Sequence, residues 1–355
     1  MAYIDDTLLL DYQATEATNE KRIKPYGLVE MAYKSTSAVD FIPPEVKKMM
    51  ADSNSTRNLQ IPYMKDGDVV VTNSPGFDKI PVNLGEMGQY YFSAFDIWSG
   101  FSMLESTFED NATDAQWYFN QQMRNVLQGM AAEKESILQT TLEAQKTQVL
   151  GFTSQASTVA NDYVFNTGTD TLEIKLAAQT DTLFYKLENL MDSNDLAGDY
   201  NLVTSRGGLI MTNAETMKYG AGNTKNLEWT QNYLGFENRF ESNTITSSEK
   251  WDGYLVKNGA IGMFNNYPYN FRMGKTVGES RWSIAKTEMP FIKSRPNIFT
   301  RTTAADATGL IAGSNQIMTS REEIAIWDRV YVVYPVNSDI TTRVNPIVKI
   351  TALNS

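Results

Sequence analysis

The sequence predicts an α+β protein organised around one helix that is much longer than the helices of ordinary globular domains. A helical pattern runs without interruption from Thr113 to Leu150, which corresponds to about 57 Å at roughly 1.5 Å per residue. An extended segment with turn signals precedes it (57–86), and alternating strand and helix patterns follow it. Because an average globular helix has only about 11–12 residues, we expect other structure to lie along its whole length.

The signals for this long helix agree at its ends and along one face. Thr113 and Gln116 have the spacing of a capping box, and Gly151 is a residue type that ends helices. Apolar residues recur every three to four positions, as expected for one helix face: Phe119, Met123, Val126, Leu127, Met130, Ile137, Leu138 and Leu142. We assign Lys134 and Glu135, with their charged neighbours, to the remaining polar surface.

The C-terminal part of this helix, from Thr140 to Leu150, has only a thin apolar stripe. Such a segment gains little free energy by packing inside its own domain. We therefore predict that it contacts a neighbouring subunit, and a helix that folds back within a monomer is the alternative.

Composition narrows the possible functions. The chain has 355 residues, of which 42% are hydrophobic and 21% are charged, and its net charge is −11. An acidic surface is unsuited to sequence-specific DNA binding, because phosphate contacts require Lys and Arg, and it leaves only non-specific contact with packaged DNA. The chain has no Cys and no His, so it lacks the thiolate nucleophile and the commonest general base. No apolar run approaches the roughly 20 residues that cross a bilayer, so we expect no membrane partner.

The pattern divides the chain into five regions. Residues 1–56 lack periodicity and are predicted to form an N-terminal arm, and residues 57–86 are predicted to form an extended hairpin loop with Asp66-Gly67 at a turn. Residues 87–180 contain the long helix, residues 181–284 alternate strands and helices, and residues 285–355 are rich in β-branched residues. An isolated arm or hairpin buries little apolar surface, so we expect both to reach onto adjacent subunits.

The order of these parts resembles the major capsid protein of tailed bacteriophages, which has the Hong Kong 97 fold. The stretch LFYKLENLMDSNDLAGDYNLVTSRGGLIMTNAETMKYG looks like the opening of that family's apical domain, and WDRVYVVYPVNSDITTRVNPIVKITAL is similar to the strands that close its peripheral domain. The resemblance implies an arm (1–56), an extended loop (57–86), a peripheral domain with a spine helix at 113–150 (87–180 and 285–355) and an inserted apical α/β domain (181–284). Within the family, the layout is most similar to phages of Bacteroidetes-type hosts, including crAss-like phages.

This resemblance implies a structural protein that assembles into the icosahedral virion shell around double-stranded DNA, in the cytoplasm of the bacterial host. Its implied partners are other copies of the chain in hexamers and pentamers, a scaffolding protein, a portal protein and decoration proteins. Because the sequence moves from Met1 directly into the arm, we expect the scaffolding protein to be a separate chain. Five residues of the hairpin region are candidate contacts between subunits: Arg57, Lys65, Asp66, Asp68 and Phe77.

One loop has the composition of a calcium site. It contains Asp192, Asn194, Asp195 and Asp199, and calcium prefers such oxygen ligands. Leu196 occupies a ligand position of the EF-hand pattern, however, so we interpret the loop as a helix end followed by a solvated turn. We predict no metal site and no cofactor.

Pairs of carboxylates are the remaining candidates for catalysis. Glu249 with Asp252, or Glu322 with Glu323, would support glycoside hydrolysis only if both acids faced one cleft. We interpret them as surface charges and predict that the chain is not an enzyme. Three alternatives stay open: an encapsulin-like compartment shell, an enzyme that uses carboxylates, and another virion component such as a tail or portal protein.

Overall fold

The fold is a computed structural model that describes somewhat more than half of the chain. The described residues are 25–35, 58–64, 87–104, 115–150, 163–179, 199–219, 236–265, 276–277, 280–284, 289–306, 318–336 and 345–354, with the single positions 183, 187, 190, 191, 194 and 196.

Three helices and thirteen strands are bounded within these ranges. The helices are α1 (Gly27–Ser35), α2 (Ala115–Gln145) and α3 (Arg206–Tyr219). The strands are β1 (Asn58–Met64), β2 (Met87–Leu104), β3 (Tyr163–Asn166), β4 (Thr171–Ile174), β5 (Tyr200–Thr204), β6 (Phe236–Glu241), β7 (Trp251–Lys257), β8 (Gly262–Asn265), β9 (Thr276–Val277), β10 (Ser280–Ile284), β11 (Asn297–Asp306), β12 (Met318–Val336) and β13 (Ile347–Ala352).

Two very long strands form the centre of the first sheet, which we call the long-strand sheet. Its order is β1-β2-β12-β11-β10-β9, and β8 also pairs with β12. Strands β2 and β12 have 18 and 19 residues, whereas ordinary strands have about 3–10. They pair antiparallel from Gln89↔Val336 to Leu104↔Arg321, a length of about 50 Å at roughly 3.4 Å per residue.

The central strands of the second sheet are buried on both faces, and we call this sheet the mixed sheet. Its order is β3-β4-β13-β7-β5-β6, with parallel pairing between β4 and β13 and between β5 and β6. Every residue of β5 is buried. Leu183 and Leu187, which are helical, cover one face of the sheet, and Tyr254 and Val256 pack on the other face in the cluster that contains α2. A sheet covered on both sides reads as nearly continuous apolar strands, as β5 does.

Helix α2 lies between the two sheets and shares one apolar cluster with both. Its buried residues Phe119, Met123 and Leu127 belong to the same cluster as Ile326 of β12 and Val256 of β7. The apolar stripe predicted from the sequence therefore faces the core. The structure that we expected along the helix is supplied by the two sheets of the same chain.

The helix is shorter than predicted, because it ends at Gln145 rather than Leu150. The Asn345 side chain donates to the carbonyl of Gln145 (2.7 Å), and the amide of Thr147 donates to the carbonyl of Ile347 (2.8 Å), so the chain leaves the helix to join β13. Thr141 and Leu142 are buried. The segment that we expected to contact a neighbouring subunit thus packs against its own chain in this region.

Part of the predicted N-terminal arm also belongs to the core. Helix α1 buries Leu28, Val29 and Met31 to within 1% exposure. A Cβ on Gly27 would lie 2.4 Å from the carbonyl oxygen of Glu241, so only glycine permits this close approach. The expectation of an arm over 1–56 that reaches onto another subunit is therefore wrong for residues 27–35.

The predicted hairpin and apical regions do not end where the sequence patterns placed their borders. β1 pairs with residues 87–93 of β2, so the second strand begins after residue 86. Strands β5, β6 and β7 of the predicted apical region share the mixed sheet with β3, β4 and β13. The chain between 181 and 284 is thus integrated with the rest of the fold through its hydrogen bonds.

Substitution of two glycines by alanine tests this packing, because one substitution should stabilise the chain and the other should destabilise it. Gly129 lies on the exposed side of α2 with nothing within 4 Å of an added Cβ, whereas a Cβ on Gly208, in the first turn of α3, would lie 2.0 Å from the Thr204 hydroxyl. We predict that Gly129→Ala raises the free energy of unfolding by up to about 1 kcal/mol, and that Gly208→Ala lowers it by about 1–3 kcal/mol. Denaturant titration of the two variants is the measurement, and equal effects would contradict the fold.

Candidate functional site

The most concentrated polar chemistry of the described residues is a buried group that we call the Lys134 cluster: Tyr33, Lys134, Asn265, Ser294 and Asp328. Lys134 of α2 and Asp328 of β12 are completely buried, with Nζ and Oδ2 2.5 Å apart. Lys134 Nζ also donates to Ser294 Oγ (3.0 Å), and Ser294 Oγ donates to Asp328 Oδ2 (2.6 Å). A buried charge pair is tolerated only when such additional hydrogen bonds satisfy it.

The other half of the Lys134 cluster connects Lys134 to Asn265 through two routes. Asn265 Nδ2 donates to Asp328 Oδ1 (2.5 Å). Tyr33 Oη donates to Asn265 Oδ1 (2.8 Å) and accepts from Lys134 Nζ (3.2 Å). The cluster therefore joins α1, α2, β8 and β12. Burial lowers the pKa of Lys134, and the charge and hydrogen bond of Asp328 oppose that shift.

The neighbouring residue of α2, Glu135, holds the first turn of α1. Its carboxylate accepts from the backbone amides of Leu28 (3.1 Å) and Val29 (2.9 Å) and from the hydroxyl of Ser242 (2.6 Å). The first amides of a helix have no partner within the helix, and a carboxylate there also complements the helix dipole. Burial raises the pKa of Glu135, and these three hydrogen bonds oppose the rise.

A third polar group joins the end of α2 to the mixed sheet. Glu143 accepts hydrogen bonds from Lys349 Nζ (2.5 Å), Lys146 Nζ (2.8 Å) and Tyr254 Oη. Burial alone would raise the pKa of Glu143, but the three hydrogen bonds and the charge of Lys349 lower it to about 2. Burial and the carboxylate of Glu143 raise the pKa of Tyr254.

Sequence reasoning assigned Lys134 and Glu135 to the polar surface of α2, and the structure buries both. A signal was present in the sequence, since these two positions fall inside the three-to-four spacing that links Met130 to Leu138. A charged pair in the middle of an apolar stripe therefore indicated buried ionic contacts rather than solvent.

The outer face of the long-strand sheet, directed away from α2, carries exposed aromatic surface. The side chain of Trp98 on β2 is 59% exposed, and its ring lies 5.1 Å from that of Phe299 on β11. Beside it, Arg329 makes two hydrogen bonds to Asp96 (2.6 and 2.7 Å), and the Trp327 indole donates to the same carboxylate (3.0 Å). Large exposed aromatic side chains of this kind are typical of interaction surfaces.

The five predicted contact residues, Arg57, Lys65, Asp66, Asp68 and Phe77, lie outside the described residues. The strands on both sides of this region are described, because β1 and residues 87–93 of β2 pair with each other. Among the described strands, β1 is the last on its side of the sheet.

Within the predicted calcium loop, Asp192 and Asp195 lie outside the described residues. Asn194 donates to the carbonyl of Leu190 (2.8 Å), and Leu196 is buried, which agrees with a turn at a helix end. In the described part of the chain, no group of three or more acidic, histidine or cysteine side chains has the arrangement of a metal site. No helix there is both long and apolar enough to cross a bilayer.

The candidate catalytic carboxylates have structural contacts. Glu322 and Glu323 are consecutive residues of β12 and therefore point to opposite faces. Glu322 is buried, and Glu323 pairs with Arg301 (2.7 Å). Glu249 accepts from the backbone amide of Asn354 (2.9 Å). Glu322 and Glu323 therefore do not face one cleft, as a two-carboxylate hydrolase would require.

No protein-family model and no curated protein matches the chain. Solved phage structures are similar to it at low identity. A structure from Mycobacterium phage Bobi has 12% identity and a TM-score of 0.40 and covers 94% of this chain and 92% of its own. The capsid structure of the cyanophage P-SCSP1u has 12% identity and a TM-score of 0.40 and covers 86% of each chain. A structure from Mycobacterium phage Che8 has 8% identity and a TM-score of 0.43 and covers 88% of this chain and 89% of its own.

The Glu143 group predicts a specific acid dependence of stability. The pKa of Glu143 in the folded chain is lowered from its ordinary value of 4.5 to about 2. Its contribution to stability is therefore fully present above pH 4.5 and is lost as the pH falls through about 2. We expect the difference in free energy of unfolding between the native chain and Glu143→Gln to be constant above pH about 5 and to shrink between about 4.5 and 2. A difference unchanged down to pH 2 would contradict the described contacts.

Proposed function

We propose that this chain is the major capsid protein of a tailed phage, which assembles into an icosahedral shell around double-stranded DNA. The observation that carries the proposal is the strand ribbon, by which we mean β1, β2 and β12. One end of the ribbon packs on α2 through Ile97, Met103 and Ile324, and at its other end residues 87–93 of β2 pair with β1.

The dimensions of the ribbon favour a role between subunits. A compact chain of this size has a radius of gyration of roughly 20 Å. The paired length of β2 and β12, about 50 Å, therefore matches the full width of a compact subunit. A strand pair of that length reaches from the core to the edge of the subunit. Its far end would therefore be held in a fixed position where an adjacent subunit could bind.

Strand β1 supplies a surface that a neighbour can use. An edge strand presents backbone donors and acceptors that pair readily with another chain. Addition of a strand or loop from an adjacent copy would satisfy them by a known mode of recognition. In a closed lattice, such contacts can be individually weak because many of them act together.

The buried polar clusters around α2 also support this proposal. The Lys134 cluster, Glu135 and Glu143 all join separate elements of one subunit. A shell subunit has to keep its conformation when adjacent subunits bind to the ribbon. Hydrogen-bonded clusters in the core make the subunit more rigid.

The finer expectations from the sequence belong to this proposal. We infer that the chain forms hexamers and pentamers, uses a separate scaffolding protein, and meets a portal protein and decoration proteins in the virion. Its charge of −11 suits a container that makes only non-specific contact with DNA. Assembly in the cytoplasm of a Bacteroidetes-type host, as in crAss-like phages, is the origin that the resemblance implies.

Electron microscopy of the purified protein, alone and after co-expression with a candidate scaffolding protein, tests this function. We expect pentamers, hexamers or closed shells. Closed shells that enclose protein when they are isolated from phage-infected cells would favour the encapsulin-like alternative, and tubes or single rings would favour a tail or portal protein. A strict monomer under every condition would overturn the proposal.

One pair of charge reversals tests the hairpin region directly. We predict that Lys65→Glu strongly reduces the fraction of protein in shells and leaves the melting temperature of the free subunit nearly unchanged, because Lys65 is proposed to contact an adjacent subunit. The matched control is Lys34→Glu, which makes the same change in net charge. Lys34 forms an exposed pair with Glu30 (3.1 Å, side chains 55% and 51% exposed), and its Nζ lies 5.0 Å from the centre of the Phe240 ring. At exposed sites each of these two types of contact is worth about 1 kcal/mol or less.

Sedimentation of assembly reactions measures both variants. We expect Lys34→Glu to form shells and Lys65→Glu to form none. Equal yields of shells from the two variants would remove Lys65 from the interface. The same charge-reversal design applies to Arg57, Asp66 and Asp68, and Phe77→Ala tests the apolar candidate.

A further inference from the structure

The Lys134 cluster has the arrangement of a reactive site as well as that of a structural one. Lys134 Nζ and Asn265 are held by the two oxygens of the same carboxylate, with Oδ2 of Asp328 on the amine (2.5 Å) and Oδ1 on the amide nitrogen (2.5 Å). The Tyr33 hydroxyl joins the amine and the amide oxygen from another direction. The four side chains therefore form a closed ring of hydrogen bonds.

We propose that Lys134 and Asn265 form an intramolecular isopeptide bond spontaneously, with Asp328 as the proton carrier. The product would join Nζ of Lys134 to Cγ of Asn265 and release one molecule of ammonia. This modification is independent of the proposed capsid function, because all its groups lie within one folded chain.

The position of each group matches a role in this reaction. The amide of Asn265 is oriented by two acceptors, since Nδ2 donates to Asp328 Oδ1 and to the carbonyl of Arg329 (3.2 Å). Its carbonyl oxygen Oδ1 accepts from Tyr33, so the Tyr33 hydroxyl is placed to stabilise negative charge that develops there during attack. Asn265 is only half-buried, which gives ammonia a route to solvent.

The environment also favours the nucleophilic form of the lysine. The Lys134 side chain is completely buried, and burial disfavours the charged form of an amine. Burial lowers the pKa of Lys134. Transfer of one proton from Nζ to Asp328 over their existing hydrogen bond yields an amine with a free electron pair and a neutral carboxylic acid.

The reaction then balances without an oxidant, a reductant or a cofactor. For the attack, Nζ leaves its hydrogen bonds to the Ile292 carbonyl (2.7 Å) and the Tyr33 hydroxyl (3.2 Å) and moves to within about 3–3.5 Å of Cγ of Asn265. The amine electron pair then forms a bond to that carbon, and the carbonyl electrons move to Oδ1. Asp328 gives its proton to Nδ2 and takes one from Nζ. The carbonyl forms again, the bond from Cγ to Nδ2 breaks, and ammonia leaves.

The products remove an unfavourable feature of the core. Before the reaction, an ammonium and a carboxylate are buried together, an arrangement whose desolvation is costly. Afterwards Lys134 is part of a neutral amide, and Asp328 retains the remaining proton as a neutral acid. The new bond would tie α2 to β8, two elements that are distant in sequence.

Mass spectrometry of the purified full-length protein tests the proposal. We expect the intact mass to be lower than the sequence mass by one ammonia. Because trypsin does not cut after an acylated lysine, we expect a branched peptide in which residues 125–146 are joined to residues 258–272. Fragmentation should place the branch between Lys134 and Asn265.

Two variants give the matched comparison. Asn265→Ala removes the acceptor and should show no loss beyond its own sequence mass, together with a lower melting temperature and a slower-migrating band on a denaturing gel. Asn258→Ala changes another asparagine of the same tryptic peptide and should still lose one ammonia. Tyr33→Phe keeps the ring but removes the hydroxyl, and the bond should form more slowly in it.

Several results would overturn the proposal. An intact mass of the folded native chain equal to its sequence mass would show that the bond does not form. Loss of one water with a branch at Asp328 would show that the carboxyl group is the acceptor instead of Asn265. Loss of ammonia that persists in Asn265→Ala would assign it to another asparagine or glutamine.

Discussion

The burial of α2 between two sheets is the constraint on which the rest of this structure depends. A helix of 31 residues that has β-structure on two sides cannot direct all its charged residues to solvent. Lys134 and Glu135 therefore enter the core, and each requires partners that come from elsewhere in the chain. Asp328 and the amides of α1 are those partners, so the helix determines where β12 and the N-terminal segment lie.

The same constraint explains the extreme length of the strands. Strands β2 and β12 both pack on α2, which fixes them in one plane, and their pairing extends to Gln89 and Val336. One end of the pair packs on the core through Ile97, Met103 and Ile324, whereas the other end pairs with β1. In such a subunit, the core fixes the position of the strands that an adjacent subunit would bind.

Sequence patterns predicted much of this architecture, and the exceptions have physical causes. The apolar stripe of α2, the presence of both strands and helices within 181–284 and the strands within 285–355 followed from periodicity and β-branched residues. Helix α1 was missed because it is short and its stability comes from burial and from Glu135, a contact with a residue more than 100 positions away. The end of α2 was misplaced since Asn345 and Ile347 end it through tertiary hydrogen bonds. Neither contact leaves a local signal in the sequence.

The central claim is that a rigid core carries a strand ribbon whose outer part completes its contacts only in an assembly. Hydrogen exchange of the free subunit and of the assembled shell, followed peptide by peptide, tests this most directly. The account predicts that α2 and the part of β12 packed on it exchange slowly in both states, while residues 58–64 and 87–93 become much slower on assembly. Equal exchange of these two segments in the free and assembled states would contradict it.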